Sequence, residues 1–382
     1  MKAFSREIRY GMVGGGIGSF IGPIHRTALQ MLSPKIRLVS ANFSTRKEIC
    51  DQTAEEVGLD LSRSYYDYET MAKAEAKRPA GERADFIIVV TPNRLHFSVS
   101  KLFLENGFHV FCEKPLTRTS AEAEILQKIA TDRKLLFGVM YGYTGYPMIK
   151  EARRLVHEGA LGKIRKVFVE YAQSWLTDPI ELEGQKQAAW RTNPSESGGS
   201  LSMGDIGSHC ENMVSYVSGL QIKEISGELS SFVDGRILDD DAMVLLKFVG
   251  GASGILFASQ VLTGELNHFR LRIYGDKAGL RWDQMDPERL EILEKDGTIK
   301  ILSRGAGSLS KWVGKTSYLP AGHPEGVIEA FSNHYAAFIS KILHPNEKES
   351  DFPGIEEGVR GMKFIESVLK SSKSNQKWTE LS

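Results

Sequence analysis

The pair with the clearest chemical potential in this chain is Asp205 and His209, in the run Gly204-Asp205-Ile206-Gly207-Ser208-His209. The apolar spacing of Met213, Val214 and Val217 behind it predicts a helix, on which residues four apart share a face. A carboxylate so placed orients and polarises an imidazole, as a general base requires. A helix-capping aspartate beside an unrelated histidine would show the same spacing. Lys114, in Glu113-Lys114-Pro115, is the second candidate. Held before a proline that fixes the turn, its ammonium could face a hydroxyl and stabilise charge as that hydroxyl loses its proton. An ordinary surface lysine fits the spacing equally.

Gly14, Gly16 and Gly22 follow an expected strand and precede a helical pattern that starts near Ile24. Residues without a Cβ are needed there when backbone N–H groups approach a pyrophosphate at a helix N-terminus. The usual third glycine position holds Ser19, and Gly22 comes three residues late. Either the loop carries an insertion or Gly18 joins the tight turn, and a plain turn is the competing reading. After the second expected strand, Asn42-Phe43-Ser44-Thr45-Arg46 has no carboxylate for a ribose 2′-hydroxyl. Hydroxyls beside the Arg46 guanidinium accommodate a 2′-phosphate better, so NADP is favoured over NAD, unless Ser44 or Thr45 simply caps the next helix. Thr91-Pro92-Asn93-Arg94-Leu95-His96 and Glu113 lie just past strand ends where open α/β sheets bind ligands.

Weaker candidates complete the inventory. Trp190-Arg191 and the flexible-looking Ser197-Gly198-Gly199-Ser200 could close over a ligand or be plain loop. Tyr141, Tyr143, Trp175 and His323 could line a polyol pocket through aromatic faces, or be core. Asp239-Asp240-Asp241 is read as solvated turn residues rather than a hard-metal site, and no metal is expected.

The elements that must position these residues follow a simple rhythm. Short β-branched runs at 8–13, 36–42, 86–90, 109–112 and 135–139 alternate with helical patterns, which predicts a parallel doubly wound sheet over 1–140. From residue 163 the pattern turns to strands at 166–174, 222–233, 242–248, 253–261 and 268–274, with shorter runs near 290 and 299. Asp234-Gly235 and Gly250-Gly251 read as hairpin turns, so 141–382 is expected to form an α+β domain with a large, mostly antiparallel open sheet. Helical patterns at 325–343 and 355–371 close the chain, with a loosely held tail at 372–382. Lys+Arg and Asp+Glu both number 48, so no net positive field attracts a nucleic acid or an anionic membrane. Three scattered cysteines argue against disulfides and zinc and for a reducing, cytoplasmic compartment. The N-terminus lacks a secretion-signal pattern, and no apolar run approaches the roughly 20 residues of a membrane span.

Taken together, the motifs resemble the Gfo/Idh/MocA oxidoreductase family over nearly the whole chain. The resemblance rests on the glycine loop ending in Gly22-x-x-His25, Thr91-Pro92-Asn93 with His96, Glu113-Lys114-Pro115, Trp190-Arg191 leading through Ser197-Gly198-Gly199, and Asp205-x-x-x-His209. It implies that 1–140 is a Rossmann domain, and it implies reversible hydride transfer between NAD(P) and a secondary hydroxyl of an inositol, sugar or glycoside, in a homodimer or homotetramer. By matching motif, Lys114 and His209 would be catalytic with Asp205 supporting His209. Asn93, Glu113 and the glycines would lie near the cofactor, and Arg191 near its phosphates or the substrate. A cofactor-retaining glycosidase of the same family and a non-catalytic nucleotide-binding sensor are the other readings.

Overall fold

The structure is a computed structural model that describes residues 4–307, 309–347 and 351–381. It divides into two compact units, Met1–Met140 with Phe331–Val359, and Tyr141–Ala330 with Arg360–Ser382. The sequence reading assigns all of 141–382 to the second domain, whereas Phe331–Val359 packs into the first unit. The reason is aromatic: Tyr335 and Phe338, from the helix Val327–Leu343, pack tilted and edge-on against Phe111 of the first sheet with ring centroids 4.8 and 5.0 Å apart. Backbone pairing of Val139 N–H with the Pro353 carbonyl fastens the same segment.

In the first unit, strands β1 (Ile8–Gly14), β2 (Ile36–Asn42), β3 (Phe86–Val90), β4 (His109–Cys112) and β5 (Phe137–Val139) form a parallel sheet in the order β2-β1-β3-β4-β5. The order reverses beside β1, which opens a ligand crevice at the carboxyl ends of the strands. Every residue of β3 is buried, as a strand covered on both faces requires.

Among the described residues the second unit has a nine-stranded sheet. Its strands are β6 (Ile164–Ala172), β7 (Ile222–Ser230), β8 (Asp241–Phe248), β9 (Ser253–Ser259), β10 (His268–Gly275), β11 (Ala278–Asp283), β12 (Arg289–Glu294), β13 (Ile299–Ser303) and β14 (Thr379–Glu380). The order is β13-β12-β11-β10-β6-β9-β8-β7-β14, antiparallel except for the β6–β9 pair. One face, carrying Val167, Val169, Val244, Leu246, Leu256, Leu271 and Ile273, is buried against the helix Ser208–Ser218 and its neighbours. At ~1.5–3 kcal/mol for each fully buried aliphatic side chain, this face is the main stabiliser of the unit.

The sequence reading misses β11 and treats the tail as loose. The tail is held: Thr379 and Glu380 pair with β7, Leu381 N–H bonds the Lys223 carbonyl, and Lys247 lies 3.8 Å from the centre of the Trp378 ring. Asp234-Gly235 does turn the chain, but within the ten-residue connection 231–240 rather than a tight hairpin.

Candidate active site

The glycine loop resolves its own irregular spacing. Gly14 has φ +85°, and a Cβ there would lie 2.6 Å from the Val90 carbonyl oxygen. The three extra residues make a turn in which Ser19 N–H bonds the Gly16 carbonyl and Gly18 takes φ +78°, so the insertion and the Gly18 turn are the same feature. Gly22 then performs the packing of a third glycine: a Cβ on it would lie 2.5 Å from Gly15 Cα. Ser19 Oγ accepts from Gly22 N–H at 3.2 Å, and Ile17 N–H donates to Thr53 Oγ1 at 3.1 Å. The buried Arg26 donates to the Gly15 carbonyl at 2.7 Å. The helix Ile21–Leu32 that follows has no acid in its first turn, so its positive end is uncompensated. A cradle without side chains against such a helix end fits a dinucleotide pyrophosphate.

At the end of β2, Ser44 Oγ accepts from Arg46 N–H at 3.1 Å and turns the chain into the helix Lys47–Glu56. Its side chain therefore has a structural task beside any cofactor contact. Arg46 is exposed.

Beyond β3 and β4, two turns are tied together by His96. Its Nδ1 lies 2.8 Å from the Pro115 carbonyl and its Nε2 2.9 Å from the Thr91 carbonyl. The neutral ring has one N–H to donate, so it bonds one of the two carbonyls and lies against the other, bridging the two turns. Burial lowers its pKa below the ordinary histidine value despite the two carbonyls. Asn93 is buried at the start of the helix Asn93–Glu105. Glu113 is 9% exposed; His25 Nε2 lies 2.9 Å from its Oε1, and Lys114 N–H donates to its Oε2 at 3.1 Å. His25 Nδ1 lies 2.5 Å from Tyr335 Oη, so the tautomer that satisfies all partners donates from Nε2 and accepts from the phenol. Burial alone would raise the Glu113 pKa, but the His25 bond, the Lys114 ammonium and the Lys114 N–H outweigh it and hold the carboxyl below the usual range. Lys114 itself is half-buried.

In the second unit, Asp205 sits in a π-turn over Met203–Gly207, and His209 opens the α-helix Ser208–Ser218. The expected helix is present, but its first half is wound more loosely than an α-helix, a form frequent at functional sites. Asp205 Oδ2 accepts from Gln260 Nε2 at 2.9 Å and pairs with Arg191 Nε at 3.4 Å. Arg191, expected near the cofactor phosphates or the substrate, is thus brought to Asp205, its guanidinium over the Trp190 and Trp175 rings. His209 is 8% exposed, with the Tyr143 and Tyr141 rings edge-on at 4.9 and 5.9 Å. Around Tyr143 runs a polar network. Its hydroxyl meets that of Tyr171, which donates to Asn267 Oδ1 at 2.8 Å. Gln173 Nε2 donates to the same oxygen, and Trp175 Nε1 donates to Gln173 Oε1 at 3.1 Å. Burial raises the pKa of both tyrosines, so the phenols stay protonated. His323 lies in an exposed turn where its carbonyl accepts from Arg304; none of its described contacts joins it to Tyr143 or Trp175.

Two sequence expectations fail here. Asp239, Asp240 and Asp241 are buried, not solvated, and the first two serve as internal acceptors: Asp239 for Leu201 and Met203 N–H, and Asp240 for Phe232 and Val233 N–H. The Ser197–Ser200 run is pinned rather than flexible, since Ser200 Oγ donates to Asp239 at 3.0 Å. Sequence reasoning passed over Gln173, Gln260 and Asn267 because nothing in their local spacing marks them. No group of three His, Cys, Asp or Glu among the described residues is placed to hold a metal. No described helix is long and apolar enough to cross a membrane.

Comparison with known proteins agrees with this fold. Residues 8–141 match the model of an oxidoreductase family with an NAD-binding Rossmann fold, and residues 149–281 match the GFO/IDH/MocA C-terminal domain. An uncharacterized oxidoreductase of Bacillus subtilis is 32% identical over 99% of this chain and 98% of its own. An inositol dehydrogenase homologue from Azotobacter vinelandii, solved with NAD+, is 34% identical with TM-score 0.94, over 99% of this chain and 98% of its own. An inositol dehydrogenase homologue from the same organism, solved with NADH and myo-inositol, aligns at 32% identity and TM-score 0.90, covering 98% of each chain. The chain belongs to the Gfo/Idh/MocA family of oxidoreductases.

Proposed function

We propose that this protein oxidises a secondary hydroxyl of a cyclic polyol, sugar or glycoside, reversibly, with NAD(P) as hydride acceptor. The observation that carries the reading is His209 half-ringed by tyrosines whose hydroxyls continue into Asn267, Gln173 and Trp175, a hydrogen-bonding surface suited to a ligand with several hydroxyls. Nicotinamide, when bound, supplies the hydride chemistry. The glycine loop and the start of the helix Ile21–Leu32 hold the pyrophosphate, with Thr91, Asn93 and Glu113 at the neighbouring strand ends.

His209 takes the hydroxyl proton at its imidazole, and Asp205 favours the imidazolium that results. Arg191 and Gln260 fix the Asp205 carboxylate in place for that task. Lys114 Nζ holds the substrate oxygen and stabilises charge on it, while Glu113 sets the turn from which it projects. Tyr143 and Trp175 offer aromatic faces to the ring C–H groups. Ser44 and Arg46 favour NADP.

The protein acts as a homodimer or homotetramer, for which the outer face of the large sheet is the contact. Met243, Leu245 and Ile255 are 51%, 44% and 40% exposed there, and Ile255 pairs with both Leu245 and Phe168.

The test is reduced-nicotinamide absorbance on mixing the protein with NAD or NADP and a panel of inositols, free sugars and glycosides. Growth with one class supports the reading and names the cofactor. Silence across the panel, with nucleotide bound, overturns it.

A further inference from the structure

We infer that Asp239 is a positioning residue for His209: from the connection just before β8 its carboxylate clamps the opening of the helical run that carries Asp205 and His209. The inference rests on the proposed role of His209. Asp239 Oδ1 accepts from Leu201 N–H at 3.1 Å, and Oδ2 accepts from Met203 N–H at 2.8 Å and from the Ser200 hydroxyl at 3.0 Å. The Asp239 carbonyl accepts from Ser202 N–H at 2.9 Å, and Ser200 Oγ accepts from Gly204 N–H at 3.0 Å. The N–H groups of Leu201, Ser202, Met203 and Gly204 therefore all end on Asp239 or on the hydroxyl it holds. A helix start leaves about four such donors without an internal partner, and a local cap normally serves only one or two of them.

The clamp sets geometry because local preference does not. Gly204 and Gly207 flank Asp205, and a π-turn is the least common of the helical windings. Where the turn begins is consequently decided by a group from the segment that enters β8. The next residue extends the control. The Asp240 carbonyl accepts from Gln260 N–H at 2.9 Å, and the Gln260 side chain donates to Asp205 at 2.9 Å. One strand entrance thus fixes both the start of the helix and the amide that grips its carboxylate.

The experiment uses Asp239→Ala and Asp239→Asn in the full chain, with nitrogen-15 histidine spectra, nucleotide binding and steady-state kinetics. The His209 signal is assigned by its loss in His209→Asn. In Asp239→Ala the His209 resonances and their titration move, those of His25 and His96 stay, and the nucleotide Kd is unchanged. Turnover falls by up to about 10²-fold through kcat, as displacement of a reacting group by an ångström produces. Asp239→Asn, which keeps one acceptor oxygen, recovers part of both effects and serves if the alanine variant does not fold. An unmoved His209 signal with wild-type kcat overturns the inference. So does a change spread over every histidine with equal loss of nucleotide binding, which would mark a merely structural role. Wild-type turnover in His209→Asn would sink the catalytic reading instead, while the spectra still judge Asp239.

Discussion

Glu113 in the first unit and Asp239 in the second are buried alike, at 9% and 8% exposure, yet their environments drive them in opposite directions. Burial works against ionisation at both. Around Glu113 it is outweighed by His25 and by the ammonium and N–H of Lys114, so the carboxyl titrates below the ordinary range. Around Asp239 the donors are neutral, two N–H groups and a hydroxyl, and burial wins: the pKa is pushed up to about 6. At Asp239 two N–H groups and a hydroxyl do not offset the hydration that the carboxylate loses, whereas at Glu113 an imidazole donor with a nearby cation does. The sequence places Glu113 beside Lys114, whereas only the fold brings Asp239 to the helical run that carries His209.

The largest effect that tests this comparison falls on the groups the two acids support. His209→Asn and Lys114→Ala are each expected to lower kcat by ~10²–10⁴-fold while nucleotide still binds, measured by steady-state kinetics and fluorescence titration. If one variant retained turnover, its supporting acid would lose its functional meaning as well.

Stability against pH separates the acids next. Glu113 has a lowered pKa, so its contribution is present above the ordinary carboxylate value and lost as pH falls through its own lower one. Asp239 has a raised pKa, so its contribution is complete below its ordinary value of 3.8 and is lost as pH rises through about 6. A shift of that size corresponds to about 3 kcal/mol. Urea unfolding across this interval should show a decline in stability that Asp239→Asn removes. Glu113→Gln should leave the decline intact and instead cost about 1.5–3 kcal/mol near neutrality, the worth of hydrogen bonds to a charged group. A decline that persists in Asp239→Asn would assign it to another group.

The same contrast explains what could be read in the sequence. In the first unit the chemistry is local: glycine loop, strand-end turns and buried β-branched runs are contiguous, and all five strands were legible, though not their order in the sheet. His25 could be found only through the motif, since its partners Glu113 and Tyr335 are 88 and 310 residues away. In the second unit, Asp205 and His209 were legible because helical spacing announces them. Asp239 was not, because three consecutive acids look solvated until a strand entrance and a helix start meet over them. The tail was misread for a related reason: a two-residue edge strand has too little pattern to register, and Thr379 is held by pairing with Ile225 of β7, far away in sequence.

The sheets differ as the acids do. β3 is buried throughout, while β8 alternates and exposes Met243 and Leu245 on a face with apolar neighbours. Leu245→Lys is expected to lower the molecular mass seen by light scattering while leaving nucleotide affinity unchanged. An unaltered mass would move the proposed contact off this face.

The smallest effect concerns two arginines that the sequence reading treats alike. Arg191 is paired with Asp205 in the second unit, whereas Arg46 is exposed at the end of β2. If Arg46 receives a 2′-phosphate, Arg46→Ala should raise KM for NADP about tenfold, the loss of one charge-assisted contact, and leave KM for NAD and both kcat values alone. Arg191→Ala should lower kcat with either cofactor, because what it disturbs is the carboxylate beside His209. Equal changes for NAD and NADP in Arg46→Ala would mean that the missing acid after β2 does not select the phosphate, and that Ser44 and its neighbours serve only to turn the chain.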